Sequence, residues 1–457
     1  MNPIQVGLLG IGTVGGGTFE VLRRNQEEIR RRAGREIRVT MVADLDAVRA
    51  RGIVGDAAVV VDDARTVIAN PSIDIVVELI GGTGIARTLV LEAIAAGKHV
   101  VTANKALLAI HGTEIFEAAR AKGVVVAFEA AVAGGIPIIK ALREGLTANR
   151  IDWVVGIVNG TTNFILSEMR ARGVDFAVAL KDAQRLGYAE SDPAFDIGGV
   201  DAAHKATLMS AIAFGIPVQF DKAHVEGIAD LRAADIAYAE HLGYRIKLLA
   251  ITKRRDDLPG TAGAAIASAG RRSGGIELRV HPTLVPTGRL IANVEGAMNA
   301  VMVQGDAVGT TLYYGKGAGA EPTASAVIAD LVDITRLHSA EPGHRVPHLA
   351  FQPAAMHDLT VLPIAEVVTA FYLRLQVADQ TGVLARITAI LAEHGISIDA
   401  LLQRPGAHEQ AEGAARTDVI ILTHDTVEGR MVSAIAQMQA LSTVLAPIIR
   451  IRKEELG

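Results

Sequence analysis

Residues 4–15, Ile4-Gln5-Val6-Gly7-Leu8-Leu9-Gly10-Ile11-Gly12-Thr13-Val14-Gly15, decide the fold. Ile4 to Leu9 is an apolar run of strand length. Gly10-Ile11-Gly12-Thr13-Val14-Gly15 then opens a helical stretch reaching about Arg32, and a second apolar run follows from Ile37 to Ala43. That is a βαβ unit in outline. Glycines at these spacings permit a tight turn, close approach of a pyrophosphate and close helix-to-sheet packing, while the helix N-terminus offers free N–H groups and a partial positive charge. A purely structural Gly-rich turn would use the same letters. Gly10, Ile11, Gly12, Thr13, Val14 and Gly15 are therefore candidate cofactor-binding positions, with Asp44 at the end of the second strand. An acidic side chain there can bond both ribose hydroxyls and repel a 2′-phosphate. Arg49 and Arg51 stand close enough in sequence to neutralise such a phosphate instead, and Asp44 could equally cap a turn.

Working outward, Ile73 to Ile80, His99 to Thr102 and Val124 to Glu129 read as further apolar strands, with a helix from Ala86 to Ala96 stopped by Gly97. Continuous Val/Ile runs between helices mean strands covered on both faces, hence an α/β Rossmann fold with a doubly wound parallel sheet over residues 1–130. Thr102-Ala103-Asn104-Lys105 lies at the carboxyl edge of that sheet, where open α/β sheets bind ligands. Thr102 and Lys105 join the candidate cofactor positions, although a solvated lysine at a helix start has the same appearance.

Gly134-Gly135-Ile136-Pro137 breaks the rhythm, and an α+β substrate and dimerisation domain is expected over 131–320. Its strand Ile151 to Val158 ends in Asn159-Gly160-Thr161-Thr162-Asn163. Gly160 and Thr161 offer small polar groups to a hydroxy amino acid, or simply begin a capped helix. The densest polar constellation runs from Gly187 to Lys205 and contains Tyr188, Glu190, Asp192, Asp196, Asp201, His204 and Lys205. Asp201 and Lys205 are one helical turn apart, on a face continued by Leu208 and Ile212, so Lys205 is expected to be partly desolvated. Desolvation disfavours the ammonium and neighbouring carboxylates favour it. The pair is either a proton-handling group or a buried structural ion pair. His204 points to another face and lacks a partner at metal-ligand spacing, and the Gly/Arg-rich stretch 270–275 reads as a solvated turn.

Residues 321–337 look like a helix returning to the nucleotide domain, with Gly319 ahead of it counted among the cofactor positions. Pro342, Pro347, Pro353 and Pro363 mark 338–364 as a linker. Beyond it, alternating strand and helix patterns give β-α-β-β-α-β over 365–457, a complete small domain.

Composition narrows the function classes. Among 457 residues the formal charge is −5 and no basic stripe carries interleaved aromatics, so nucleic acid is not expected as a partner. The basic run Arg30-Arg31-Arg32 follows Glu27-Glu28 and reads as a solvated helix end. With no cysteine, disulfides, thiolate ligands and a Cys nucleophile are excluded together. No stretch is apolar enough for a membrane span, and the chain enters a strand without signal-peptide order, which predicts a cytoplasmic protein.

Taken together, the Gly10 to Gly15 turn, Thr102 to Lys105, Asn159 to Asn163 and the Gly187 to Lys205 block resemble the homoserine dehydrogenase family in order and spacing, over residues 1 to about 360. The resemblance implies NAD(P)-dependent interconversion of L-aspartate 4-semialdehyde and L-homoserine. It assigns acid/base roles to Lys205 and Lys105, and substrate binding to Glu190, Asp196 and Asp201, with Tyr188, Gly160 and Thr161 beside them; Glu190 is the candidate for the substrate's ammonium group. Where some relatives carry a further acid this chain has Phe195. The stretch Glu129 to Pro137 looks like the family's sodium loop, with carbonyls of Glu129, Val132, Gly134 and Ile136 as ligands. Asp379-Gln380-Thr381-Gly382-Val383-Leu384 and His394 to Ile398 are similar to an ACT domain, which implies an amino-acid effector such as threonine and a homodimer or homotetramer. Two rivals stay open at this point: a dehydrogenase of another small amino or hydroxy acid, and a nucleotide-binding sensor without turnover.

Overall fold

The computed structural model describes residues 2–256, 274–338, 340–342, 345–357, 359–403 and 416–456. Residues 257–273, and with them most of the expected 270–275 turn, lie outside that set. The first layer is a six-stranded parallel sheet of β1 (Ile4–Leu9), β2 (Ile37–Ala43), β3 (Val59–Val61), β4 (Ile75–Glu78), β5 (His99–Thr102) and β6 (Val126–Ala127), in the order β3-β2-β1-β4-β5-β6. The order reverses between β1 and β4, which is where such sheets open a ligand crevice at their carboxyl edge. Central strands are buried and mostly apolar because helices cover both faces: α1 (Thr13–Arg24), α2 (Gln26–Ala33), α3 (Ala47–Val54), α4 (Ala64–Ala69), α5 (Ile85–Ala95) and α6 (Lys105–Lys122). Each fully buried Val, Ile or Leu contributes about 1.5–3 kcal/mol.

Two details differ from the pattern in the sequence. The first helix is broken at Asn25, whose backbone leaves the helical region (φ −105°, ψ 17°), and the short strand β3 has too few residues to show a period. The run Arg30 to Arg32 is paired with Glu27 and Glu28 along α2.

The second layer begins with α7 (Ile138–Lys140) and strand β7 (Ile151–Ile157) and carries α8 (Gly160–Arg172), α9 (Phe176–Arg185), α10 (Ala194–Ile197), α11 (Val200–Phe214) and α12 (Ala233–His241). With β8 (His224–Val225), β9 (Tyr244–Arg255), β10 (Gly275–Pro286), β11 (Met298–Gly305) and β12 (Gly309–Lys316) it forms a mixed sheet. Helix α13 (Ala320–Leu337) packs on α1 so closely that a Cβ on Gly17 would stand 2.7 Å from the Ala320 carbonyl oxygen.

The C-terminal βαββαβ unit comprises β13 (Val368–Ala378), α14 (Val383–Glu393), β14 (Ile398–Gln403), β15 (Arg416–Thr423), β16 (Thr426–Val427), α15 (Glu428–Gln439) and β17 (Ile449–Lys453). Its sheet is not separate. β17 pairs in parallel with β10, joining both units into one eleven-stranded sheet, β12-β11-β7-β9-β10-β17-β13-β15-β14, with β8 and β16 as short side pairings. The proline-marked segment 338–364 is also docked: Val126 donates its N–H to His348 Nε2 at 3.1 Å, and Val361 bridges Ile276. Prolines shorten regular structure there without freeing the chain, because neighbouring backbone groups and apolar side chains still find partners.

Candidate active site

The turn after β1 is shaped by contacts that exclude side chains. Gly10 has φ +88° and its N–H reaches the Ala43 carbonyl at 2.8 Å; a Cβ on Gly15 would lie 2.2 Å from the Gly10 oxygen. Gly12, by contrast, faces open space. Nothing in the protein requires a glycine there, whereas a phosphate approaching the N-terminus of α1 would. Asp44 ties this turn to β2, accepting from Ile11 N at 2.7 Å and Asp46 N at 2.9 Å, with Arg49 at 3.3 Å. Burial alone would raise its carboxyl pKa; these donors outweigh burial and hold it below the ordinary value.

The same edge continues through β4 and β5. Thr102 Oγ1 donates to buried Glu78 at 2.7 Å, Glu78 accepts from the N–H groups of Ile80 and Gly81, and Asn104 Nδ2 donates to the Gly82 carbonyl. Asn104 also caps α6 through Leu107 N, which fixes the direction in which Lys105 leaves the sheet. Glu78 was not among the residues singled out from sequence, since its pairing spans two strands. Gly319 (φ +126°) precedes α13 and lies within contact of Pro322.

Lys105 reaches across to the second layer. Its Nζ stands 3.0 Å from Asp201 Oδ1, while Lys205 Nζ donates to Asp201 Oδ2 and to the Val158 carbonyl, both at 2.6 Å. Asn159 closes the cluster: its Nδ2 donates to Asp196 and Asp201, each at 2.8 Å, and its Oδ1 accepts from Thr162 N to cap α8. Sequence gave reason to expect the cap, but not the second role of the same amide. Burial pushes Lys205 below the ordinary lysine value although Asp201 opposes it. Asp201 is held far down because two ammonium groups outweigh its burial, and burial raises Asp196.

The remaining expected residues sit around this centre. Thr161 Oγ1 donates to the Tyr188 carbonyl at 2.6 Å, the Tyr188 ring packs at a tilt against Phe164, and a Cβ on Gly160 would press on the Ala297 carbonyl at 2.8 Å. Glu190 lies on the exposed loop, its carbonyl held by Gln184, and its carboxylate joins no hydrogen bond of the cluster. Phe195 stands 5.9 Å from the Lys105 ammonium and against His204, whose ring also meets that of Phe220; burial lowers His204 to about 4. Among the described residues no group of three His, Cys, Asp or Glu side chains could hold a metal. In the loop 129–137, the buried carbonyls of Val132 and Gly134 accept no hydrogen bond among the described residues, while those of Glu129 and Ile136 accept from Val132 N and Ile138 N.

A dinucleotide crevice facing two lysines on one buried carboxylate defines a nicotinamide-dependent oxidoreductase. The homoserine dehydrogenase family model matches residues 137–332, its NAD-binding domain model residues 10–129, and the ACT domain model residues 371–439. The chain is 56% identical to the homoserine dehydrogenases of Pseudomonas aeruginosa and Neisseria gonorrhoeae, covering 100% of each and of itself. It superposes on the crystal structure of a homoserine dehydrogenase from Thiobacillus denitrificans with a TM-score of 0.91 at 61% identity, covering 100% of this chain and 99% of that one. A hyperthermophilic archaeal homoserine dehydrogenase in complex with NADPH matches 74% of this chain and 99% of its own, with a TM-score of 0.60 at 25% identity. The chain belongs to the homoserine dehydrogenase family, with a nicotinamide-binding domain and a C-terminal ACT domain.

Proposed function

We propose that Lys205 and Lys105 together handle the proton in the interconversion of L-aspartate 4-semialdehyde and L-homoserine. The observation that carries this is the donor count at Lys205. Of three N–H bonds on its ammonium, one goes to Asp201 and one to the Val158 carbonyl, leaving one for a substrate oxygen in an otherwise buried site. A nicotinamide dinucleotide would be held through its pyrophosphate at the Gly10 to Gly15 turn, with Asp44, Thr102 and Gly319 also lining its site, and when bound would supply or receive the hydride. In the reducing direction the carbonyl carbon gains that hydride, the C=O electron pair moves to oxygen, and the resulting alkoxide is stabilised by the Lys205 ammonium and takes its proton. Lys105 is about a third exposed and so provides the exchange with water. Asp201 stays ionised and positions both lysines.

Asp196, Tyr188, Gly160 and Thr161 surround the same space, and Glu190 on its exposed loop is the carboxylate for the substrate's ammonium group. Sodium fits the two unpaired carbonyls of Val132 and Gly134, where a hard cation would satisfy buried oxygens. Functionally the chain divides into a nucleotide domain over 1–130, a substrate and dimerisation domain over 131–320, the helix 321–337 added to the former, a connector over 338–364 and a regulatory domain over 365–457. The regulatory domain takes an amino acid, threonine in our reading, in a cytoplasmic homodimer or homotetramer. Among the described residues no helix is long and apolar enough to cross a membrane.

Steady-state oxidation of homoserine followed at the nicotinamide band, with NAD and NADP compared and with and without threonine, tests this. Equal turnover of unrelated small alcohols would overturn the substrate assignment, and threonine without effect on rate or melting temperature would overturn the effector.

A further inference from the structure

The turn that positions the catalytic carboxylates rests on a short stretch of backbone, Glu226 to Ile228. Ile228 N donates to the Ile197 carbonyl at 2.9 Å, and a Cβ on Gly227 would stand 2.4 Å from that same oxygen. Gly199 (φ +82°) is so near the Glu226 carbonyl that its own Cβ would lie 3.2 Å away. Ile197 follows Asp196 directly, and Gly199 is the residue on which α11 begins, two positions before Asp201 and six before Lys205. A shift of Glu226 to Ile228 therefore bears on the backbone beside both carboxylates, through one hydrogen bond and two close approaches at glycines.

Glu226 itself is gripped from the other end of the molecule. Its Oε2 accepts from Arg452 Nη1 at 2.8 Å, and its Oε1 accepts from Arg452 Nη2 at 2.9 Å and Arg450 Nη2 at 2.8 Å, with His224 Nε2 at 2.9 Å. Both arginines lie on β17 and are shared with Glu428 at the start of α15, at 2.6–2.8 Å. Arg452 is almost wholly buried. A planar guanidinium held by two carboxylates has little freedom to reorient, so the arrangement transmits position rather than merely neutralising charge.

We propose that Glu226 is a positioning residue for catalysis: clamped by Arg450 and Arg452 of the C-terminal domain, it sets the turn Ile197–Gly199 and through it Asp196, Asp201 and Lys205. The last strand of the chain is then a support of the active site as well as part of a ligand-sensing unit, and motion of β17 or α15 reaches the carboxylates by this route. The inference rests on the catalytic roles given above to Asp201 and Lys205.

The test is kinetic, on the full chain. Glu226→Gln keeps the shape and removes the charge; it is expected to lower kcat for homoserine oxidation by about tenfold or more, since a misplacement of the order of 1 Å at reacting groups costs up to about 100-fold. The KM for the nicotinamide cofactor should stay within about twofold, because that site is built from other elements. Glu226→Asp should recover part of the rate. Arg452→Lys provides a second, charge-preserving perturbation, and in its background Glu226→Gln should cost much less than in the native chain, as two residues acting through one contact are not additive. A lower melting temperature with unchanged kcat in Glu226→Gln, or fully additive losses in the double variant, would overturn the proposal. Absence of homoserine turnover in the native chain would instead overturn the functional reading on which it rests.

Discussion

The Lys105 ammonium, at the carboxyl edge of the nucleotide-binding sheet, stands 3.0 Å from the Asp201 carboxylate at the start of a helix in the second layer. Each oxygen of Asp201 thus faces one lysine: Oδ1 faces Lys105 from the nucleotide-binding layer, and Oδ2 faces Lys205 from the second layer at 2.6 Å. The cluster exists only while the two layers are held together, and both lysines pair with the same anion.

Lys205→Met should reduce turnover by at least about 100-fold, the range expected when a positioned proton donor is removed. Cofactor affinity, read by quenching or enhancement of nicotinamide fluorescence, should be unchanged. A parallel loss of cofactor affinity would mean that Lys205 supports the fold of the crevice rather than the proton.

Asp201→Asn should shift the pH dependence. In the direction of alcohol oxidation the acid/base amine must be unprotonated, so the rate rises as pH passes through its pKa. Burial already lowers Lys205, and Asp201 is what opposes that fall. Removing the anion lowers the pKa further, so the rising limb of kcat against pH should move to lower pH while its plateau drops. A limb moved to higher pH would contradict the assignment.

Two of the three glycines of the first turn should respond oppositely. Gly15→Ala places a methyl 2.2 Å from the Gly10 oxygen and should lower the melting temperature; Gly12→Ala meets nothing in the protein and should leave it nearly unchanged while weakening cofactor binding about tenfold or more. Thermal melts with and without cofactor separate the cases. A Gly12→Ala variant with native cofactor affinity would remove the phosphate from this turn.

One buried and one half-buried histidine, His99 and His348, predict acid sensitivity. His99 Nδ1 accepts from Val125 N at 2.9 Å and His348 Nε2 accepts from Val126 N at 3.1 Å, so both must stay neutral, and burial lowers each to about 4. Because the folded pKa lies below the unfolded value, their contribution is present above pH of about 6.5 and is lost as pH falls towards about 4. On the order of 3 kcal/mol for each is expected across that window. His348→Gln, which keeps an acceptor but does not titrate, should flatten the fall in melting temperature; an unchanged slope would place the acid sensitivity elsewhere.

Local chemistry in the chain was enough to determine the strand-turn-helix with its glycines, the parallel sheet, the catalytic-domain polar block, the one-turn spacing of Asp201 and Lys205 and the βαββαβ pattern of the tail, since each is a matter of periodicity or of neighbours within a helical turn. Other features needed the tertiary structure. Lys105 meeting Asp201, Glu78 meeting Thr102, and Asn159 bridging two carboxylates are contacts between elements, and a polar side chain carries no mark of a partner 24 to 96 positions away. The parallel pairing of β17 with β10, which turns a terminal domain into part of the catalytic sheet, is set by edge hydrogen bonds and by buried Arg452. A strand's sequence specifies which face it buries, whereas backbone N–H and C=O groups at its edge are the same for every residue but proline, so the choice of neighbour is made only when the whole chain is packed.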